Sequence, residues 1–159
     1  MSRGIIKAHT YFPVSSEPFD LPLPLKLELL CANTLLCVYS VAKDKIVDYS
    51  YNTNTEIPLL TPTDRPLDIN DIYFLIRSRV FPNNPYTAPA ELAKLGLSEY
   101  NPYRILEKTF GIMPMSAYWF RKSGDDISYE TALARYNEIM FGVKPEQGES
   151  GIEDFLGMN

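Results

Sequence analysis

The stretch LKLELLCANTLLCVYSVAKDKIVDYSYN, residues 25–52, decides the fold class of this chain. Leu, Val, Ile and Tyr dominate it, and β-branched and aromatic side chains favour half-buried strands. Short polar breaks at residues 32–34 and 42–45 separate the apolar segments. The pattern predicts two or three antiparallel strands joined by tight turns, and we expect this to be the one β region of the chain.

Beyond residue 67 the spacing of the apolar residues changes to that of amphipathic helices. Each helix predicted there begins at a capping residue and ends at a glycine or a proline. The predicted helices cover residues 68–79, 87–95, 102–110 and 128–141. The sequence therefore predicts an α+β fold, with a small antiparallel sheet or hairpins in the N-terminal third followed by a cluster of four or five short helices.

At 159 residues the chain is long enough for one domain with a hydrophobic core. We expect residues 1–143 to form a single compact domain, in which the proline-rich residues 1–24 are an extended segment. Residues 144–159 carry four carboxylates against Lys144, so this stretch holds −3 of the net charge of −5. It is predicted to be a flexible acidic tail.

Few residues of the chain are suited to catalysis. The single histidine is His9, which disfavours Ser-His-Asp, Cys-His and multi-histidine metal sites. The glycines stand singly and form no phosphate-binding loop. Asp64, Asp68 and Asp71 could supply oxygen ligands to a divalent cation, but acidic residues at a helix start more often serve as caps. We therefore expect no enzyme, no cofactor and no metal.

The protein is expected to be cytoplasmic, with no membrane partner. No window of the sequence approaches the roughly 18 apolar residues of a membrane helix, and the N-terminus lacks the apolar run of a signal peptide. Cys31 and Cys37 fit free thiols in a reducing compartment.

The stretch ILEKTFGIMPMSAYWFRK, residues 105–122, places three aromatic rings directly before two cations. Neighbouring side chains point in different directions in both helices and strands, so we expect at least one of these rings at the surface or in a groove. Tyr, Trp and Arg are the residue types that most often anchor protein interfaces. The predicted partner-binding residues are Tyr118, Trp119, Phe120, Arg121 and Lys122.

The same region supports an alternative, a nucleic-acid surface. Between residues 101 and 122 four cations accompany one carboxylate, Glu107, which leaves a local charge of +3. Cations interleaved with aromatic rings contact phosphates and stack on bases in single-stranded nucleic-acid sites. An amphipathic helix with a solvated basic face is the simpler explanation of the first two cations. The candidate nucleic-acid residues are Arg104, Lys108, Arg121 and Lys122.

A second predicted contact lies in the acidic tail. Ile152, Phe155 and Leu156 have the i, i+3, i+4 spacing of a short amphipathic turn. Such a turn can place its apolar face in a groove of a partner, and Phe155 and Leu156 are therefore predicted partner-binding residues. Weak packing of this segment on its own domain is the open alternative.

The order of features over residues 46–142 resembles the segment that precedes the kinase core in bacterial HipA-like proteins. The resemblance is carried by RVFP (residues 79–82), a Leu-rich pair of helices, LEKTFG, Tyr118-Trp119 and Tyr129. HipA-like proteins are serine/threonine kinases of toxin-antitoxin type, and their catalytic residues lie downstream of this segment. The resemblance therefore implies no catalytic residue here. It implies a free-standing accessory module of mobile-element origin that binds a kinase or another toxin-antitoxin component.

The residues and the resemblance together favour a non-catalytic protein-interaction module of bacterial or mobile-element origin. Two alternatives remain open: a nucleic-acid-associated regulator that uses the basic aromatic segment, and an anti-defence inhibitor that imitates nucleic acid through acidic surface. The net charge of −5 is modest for such imitation. A small enzyme with an unrecognised site is the least favoured hypothesis.

Overall fold

The computed structural model describes residues 14–143, in which a four-stranded sheet is combined with four helices. The α+β fold class predicted from the sequence is confirmed. The elements, in chain order, are β1 (Leu25–Cys31), β2 (Thr34–Val41), β3 (Val47–Tyr51), α1 (Ile69–Arg77), α2 (Ala88–Leu95), α3 (Pro102–Thr109), β4 (Tyr118–Lys122) and α4 (Tyr129–Phe141).

The sheet has the strand order β3-β2-β1-β4, and every neighbouring pair is antiparallel. β1, β2 and β3 form the predicted meander, with turns at the two predicted breaks. The expectation of a single β region was wrong, because β4 adds a fourth strand beside β1 after three helices. β4 was missed because its five residues show no apolar alternation, and its hydrogen-bond partners lie far away in the sequence.

The hydrophobic core lies between the sheet and the helices. Along β1 the buried residues Leu25, Leu27 and Leu29 alternate with Lys26 and Glu28, which are more exposed. The helices bury their apolar residues in the same cluster. Those of α1 and α3 are Ile72, Leu75, Ile76, Tyr103, Ile105 and Leu106.

Capping side chains begin three of the four helices, as the sequence predicts, but the expected cap of α2 was wrong, because the Thr87 side chain makes no capping hydrogen bond. Asp68 and Asp71 form a capping box on α1, and Asp71 also binds Arg65 at 2.6 Å. Asn101 accepts hydrogen bonds from two backbone N–H groups of α3, and Ser128 accepts one from α4. The acidic residues at the start of α1 thus have a local structural role, as expected from helix capping.

None of the helices in residues 14–143 is long and apolar enough to cross a membrane. The longest, α4, has 13 residues, whereas a membrane-spanning helix needs about 20 apolar residues.

The proline-rich residues 14–24 form no regular element but contact the domain. The Phe19 ring packs edge-on against Tyr73 with 5.0 Å between centroids, and the Arg77 guanidinium lies 5.1 Å from the Phe19 ring centroid. Asn101 donates a hydrogen bond to the Asp20 carbonyl at 3.1 Å. His9 and the predicted acidic tail lie outside the described residues.

We predict that Leu29→Ala lowers the free energy of unfolding by about 3 kcal/mol, since this side chain is fully buried and its removal leaves a cavity. The matched control is Leu35→Ala on β2, whose side chain is 37% exposed and should cost less than about 1 kcal/mol. Urea unfolding followed by circular dichroism measures both. Equal losses in the two variants would contradict this description of the core.

Candidate functional site

β4 contains all five residues predicted at the centre of the partner site, and its alternation sorts them onto two faces of the sheet. Trp119 and Phe120 are 0% and 1% exposed, Tyr118 and Arg121 are half-buried, and Lys122 is exposed. The two inner rings are therefore core residues in this conformation and offer no surface to a partner. Tyr118 is the ring that remains partly outside.

Phe120 is held against the end of α3 by a close approach of the backbone. Its N–H donates to the Phe110 carbonyl at 2.8 Å. Gly111 has φ +61°, and a Cβ added there would lie 2.6 Å from Cδ1 of Phe120 and 3.1 Å from Cδ1 of Leu106. The glycine is thus required both for its left-handed conformation and for the absence of a side chain.

Trp119 is buried on the opposite face of β4. Its Nε1 donates to the Ala32 carbonyl at 2.6 Å, and the rings of Phe110 and Tyr129 lie 6.5 Å and 6.0 Å away. The Arg121 guanidinium sits 5.7 Å from the indole centroid. The sequence-based expectation assumed that only one face of the strand is buried. This end of the sheet is covered on both faces, so Trp119 and Phe120 are both buried although they are adjacent in the chain.

Three of the four candidate nucleic-acid residues are paired with carboxylates. Arg121 Nε lies 2.6 Å from Glu28 Oε1, and the same guanidinium donates to the Ile127 carbonyl at 2.6 Å. Glu107 binds both Arg104 at 3.2 Å and Lys122 at 3.1 Å. Only the remaining candidate, Lys108, has no ion pair among residues 14–143. Pairing of this kind lowers the positive potential that phosphate binding would need.

Arg79, the first residue of the RVFP stretch, is a buried cation that joins three parts of the chain. It is 9% exposed, and its donors reach the Gly111 carbonyl at 3.2 Å, the Tyr118 carbonyl at 3.0 Å and Ser116 Oγ at 3.3 Å. Burial lowers the pKa of its guanidinium. None of the ion pairs within residues 14–143 involves Arg79.

An apolar groove opens beside these residues, between the loop of residues 112–117 and α4. We call it the methionine groove. Its volume is about 510 Å³, compared with about 570 Å³ for a cavity lined by Val14 and Arg77 and about 130 Å³ for the cavity beside Phe120 and Lys122. The principal walls of the groove are Met113, Pro114, Met115, Tyr129, Leu133 and Phe141.

A smaller cavity of about 170 Å³ adjoins the methionine groove. The two share Met113, Pro114 and Phe141 as walls, and the smaller cavity is also bordered by Arg79. The buried cation therefore borders a cavity that shares walls with the methionine groove. Sequence reasoning missed the groove because only the rings and cations of residues 105–122 were considered as contact groups, although Met113 and Met115 were a signal of an adaptable apolar surface.

Two large apolar side chains at the groove are strongly exposed. Met115 is fully exposed and has a φ of +62°, a backbone conformation that residues with a side chain rarely adopt. Phe141, at the end of α4, is 63% exposed. Exposed apolar side chains that flank a concave apolar surface are typical of a binding site.

Two groups with perturbed pKa values, Cys37 and Tyr39, lie next to each other on β2. Burial raises the pKa of the Cys37 thiol from 9.0 to about 11 and raises the pKa of the neighbouring Tyr39 hydroxyl. A raised pKa keeps both groups protonated and weakly nucleophilic near neutral pH. Within residues 14–143, no group of three or more His, Cys, Asp and Glu side chains is placed to hold a metal ion.

Comparison with known proteins adds no identity: no family model, no curated protein and no solved structure matches this chain. The resemblance to HipA-like proteins stays a hypothesis that rests on the residues quoted for it.

We predict that Gly111→Ala destabilises the protein by about 1–3 kcal/mol more than Gly96→Ala. Both glycines have left-handed backbones, at φ +61° and φ +70°, and so share the conformational cost of alanine. A Cβ at Gly96 meets nothing within 4 Å, whereas one at Gly111 overlaps the Phe120 ring. Thermal or urea unfolding measures the difference. Equal effects would mean that the ring moves aside without cost.

We predict that the free energy of unfolding falls as the pH rises from about 9 towards 11. The folded protein holds the Cys37 proton up to a pKa of about 11, while the unfolded thiol loses it near 9.0. The unfolded state therefore binds fewer protons in this window, and stability decreases with pH. Urea titrations at several pH values measure the slope. Cys37→Ala should make it shallower, and an unchanged slope would contradict the assignment.

Proposed function

We propose that this chain is a non-catalytic protein-interaction module that binds its partner through the methionine groove. The observation that supports this most directly is the open groove itself, flanked by the exposed side chains of Met115 and Phe141. Methionine side chains are flexible and polarisable, so they adapt to apolar anchors of different shapes. A short amphipathic helix or turn of the partner, with apolar residues at i, i+3 and i+4, fits such a groove.

The predicted contact residues on β4 take a different role in this proposal. Trp119 and Phe120 hold the strand in place from inside the core, and Arg121 is held by Glu28. Tyr118 and Lys122 retain accessible surface. β4 thus supports the loop that forms one wall of the groove, and the loop makes the contact.

The resemblance to HipA-like proteins suggests the kind of partner. On that reading the module is a free-standing accessory segment of bacterial or mobile-element origin, and its partner is a kinase or another toxin-antitoxin component in the cytoplasm. The support for this part of the proposal is the sequence pattern of residues 79–129. The walls of the methionine groove are mainly apolar, and an apolar centre is typical of interfaces with protein partners.

The nucleic-acid alternative is less favoured by the described residues. Glu107 and Glu28 form ion pairs with three of its four candidate cations at distances of 2.6–3.2 Å. Arg104 and Lys122 share a single carboxylate, so Glu107→Gln would release both. If the nucleic-acid hypothesis were correct, this variant should bind single-stranded nucleic acid measurably more tightly, with a steep dependence on salt.

We predict that Met115→Asp and Phe141→Asp each weaken binding of the partner by at least about tenfold, because a carboxylate in an apolar interface loses its hydration. The matched control is Ile46→Asp, which adds the same charge at a side chain that is 66% exposed. Ile46 lies in the β2–β3 turn, at the end of the sheet opposite Ala117 and the groove.

The measurement has two stages. Proteins captured from a bacterial lysate by the unmodified chain are quantified by mass spectrometry beside those captured by the three variants. A candidate that depends on the groove is then purified, and its affinity is measured by calorimetry. A protein retained by Ile46→Asp and lost by both groove variants supports the proposal. Binding that is unchanged in both groove variants, or abolished by nuclease treatment, contradicts it.

A further inference from the structure

The strongest unexplained feature beside the groove is the charge of Arg79. The side chain is nine-tenths buried and its hydrogen bonds go to two carbonyls and one hydroxyl, all uncharged. A buried cation without a carboxylate loses hydration that neutral acceptors only partly replace. Arg79 also borders the smaller cavity, which shares Met113, Pro114 and Phe141 with the methionine groove. A carboxylate that enters this cavity would supply the negative charge that the Arg79 guanidinium lacks among its hydrogen-bond partners.

The other charges around this cavity do not fill that role. Glu91 and Lys94, both of α2, border it as well, but they bind each other at 3.3 Å. They therefore add no net charge. The smaller cavity is otherwise walled by apolar side chains such as Ile105, Met113 and Met140. The surface accordingly calls for a ligand that combines apolar side chains with a carboxylate.

The chain itself contains such a segment within reach. α4 ends at Phe141, which is a wall of the groove, and residues 144–159 continue from that point. From Val143 to Ile152 an extended backbone spans up to about 30 Å, enough to return to a groove at the end of the same helix. Residues 152–156 read IEDFL, so two carboxylates lie between three apolar side chains.

We propose that the methionine groove is occupied by the chain's own segment of residues 152–156, with Ile152, Phe155 and Leu156 against its apolar walls and a carboxylate of Glu153 or Asp154 directed to Arg79. The short connection gives this segment a local concentration of about millimolar, so a weak intrinsic affinity is sufficient. This inference rests on the proposed function in one respect: the segment and the partner compete for the same groove, so the segment regulates access to it.

The test uses hydrogen–deuterium exchange of the full-length chain. In the unmodified protein the amides of residues 112–117 and 133–141 are expected to be protected. In the double variant Phe155→Asp/Leu156→Asp their exchange should become several-fold faster. Met158→Asp is the matched control, since it adds a charge to the same stretch outside the apolar spacing and should leave exchange unchanged. Identical exchange in the double variant and the unmodified protein would overturn the inference.

Two further arms separate the charge contribution and the source of the segment. Glu153→Gln/Asp154→Asn keeps the apolar residues and should lose part of the protection, and the protection of the unmodified protein should fall with added salt. Protection that increases with protein concentration would assign the segment to a second copy of the chain and would overturn docking within one molecule.

Failure of this inference can be distinguished from failure of the proposed function. If both hold, Phe155→Asp/Leu156→Asp binds the partner several-fold more tightly, because the competing segment is removed. If only the proposed function holds, the double variant and the unmodified chain bind the partner equally while exchange is unaffected. If only the docking holds, exchange responds as expected and the groove variants Met115→Asp and Phe141→Asp lose no partner.

Discussion

The pairing of β4 with β1 is the constraint on which the rest of this structure depends. It joins Tyr118–Lys122 to β1, which precedes it by some 90 residues, and it brings the chain back to the sheet after three helices. Once the hydrogen bonds form, strand geometry directs Phe120 to one face and Trp119 to the other. The position of Phe120 leaves no room for a side chain at Gly111, and the position of Trp119 lets its indole N–H donate to the Ala32 carbonyl.

The same pairing explains why partner contact is assigned to a groove and not to the β4 edge of the sheet. The outer edge of β4 is already occupied, because Phe120 N–H binds the Phe110 carbonyl and Arg79 binds the Tyr118 carbonyl. Blocked edges prevent addition of a foreign strand. The loop of residues 112–117 projects beside this edge and leaves Met115 exposed against α4. A partner that binds beside the β4 edge would therefore contact side chains and not backbone groups.

The elements predicted correctly are those whose signals are local. Asp68, Asn101 and Ser128 mark helix starts because their side chains bind N–H groups within three residues, and the β1–β2–β3 meander shows its turns as polar breaks. β4 and the methionine groove were not predicted, since each is formed by residues distant in the chain. Trp119 and Phe120, two of the predicted contact residues, are buried in the core, which only the packing of distant segments decides.

The sequence by itself determined the fold class, the capped helices and the scarcity of catalytic groups, because residue type, spacing and composition act over a few neighbouring positions. Only the tertiary structure decided the direction of each ring in YWFRK, the pairing of its cations with Glu28 and Glu107, and the position of Arg79 beside an apolar groove. Exposure and ion pairing depend on which distant segments cover a side chain, and the β4–β1 register decides that.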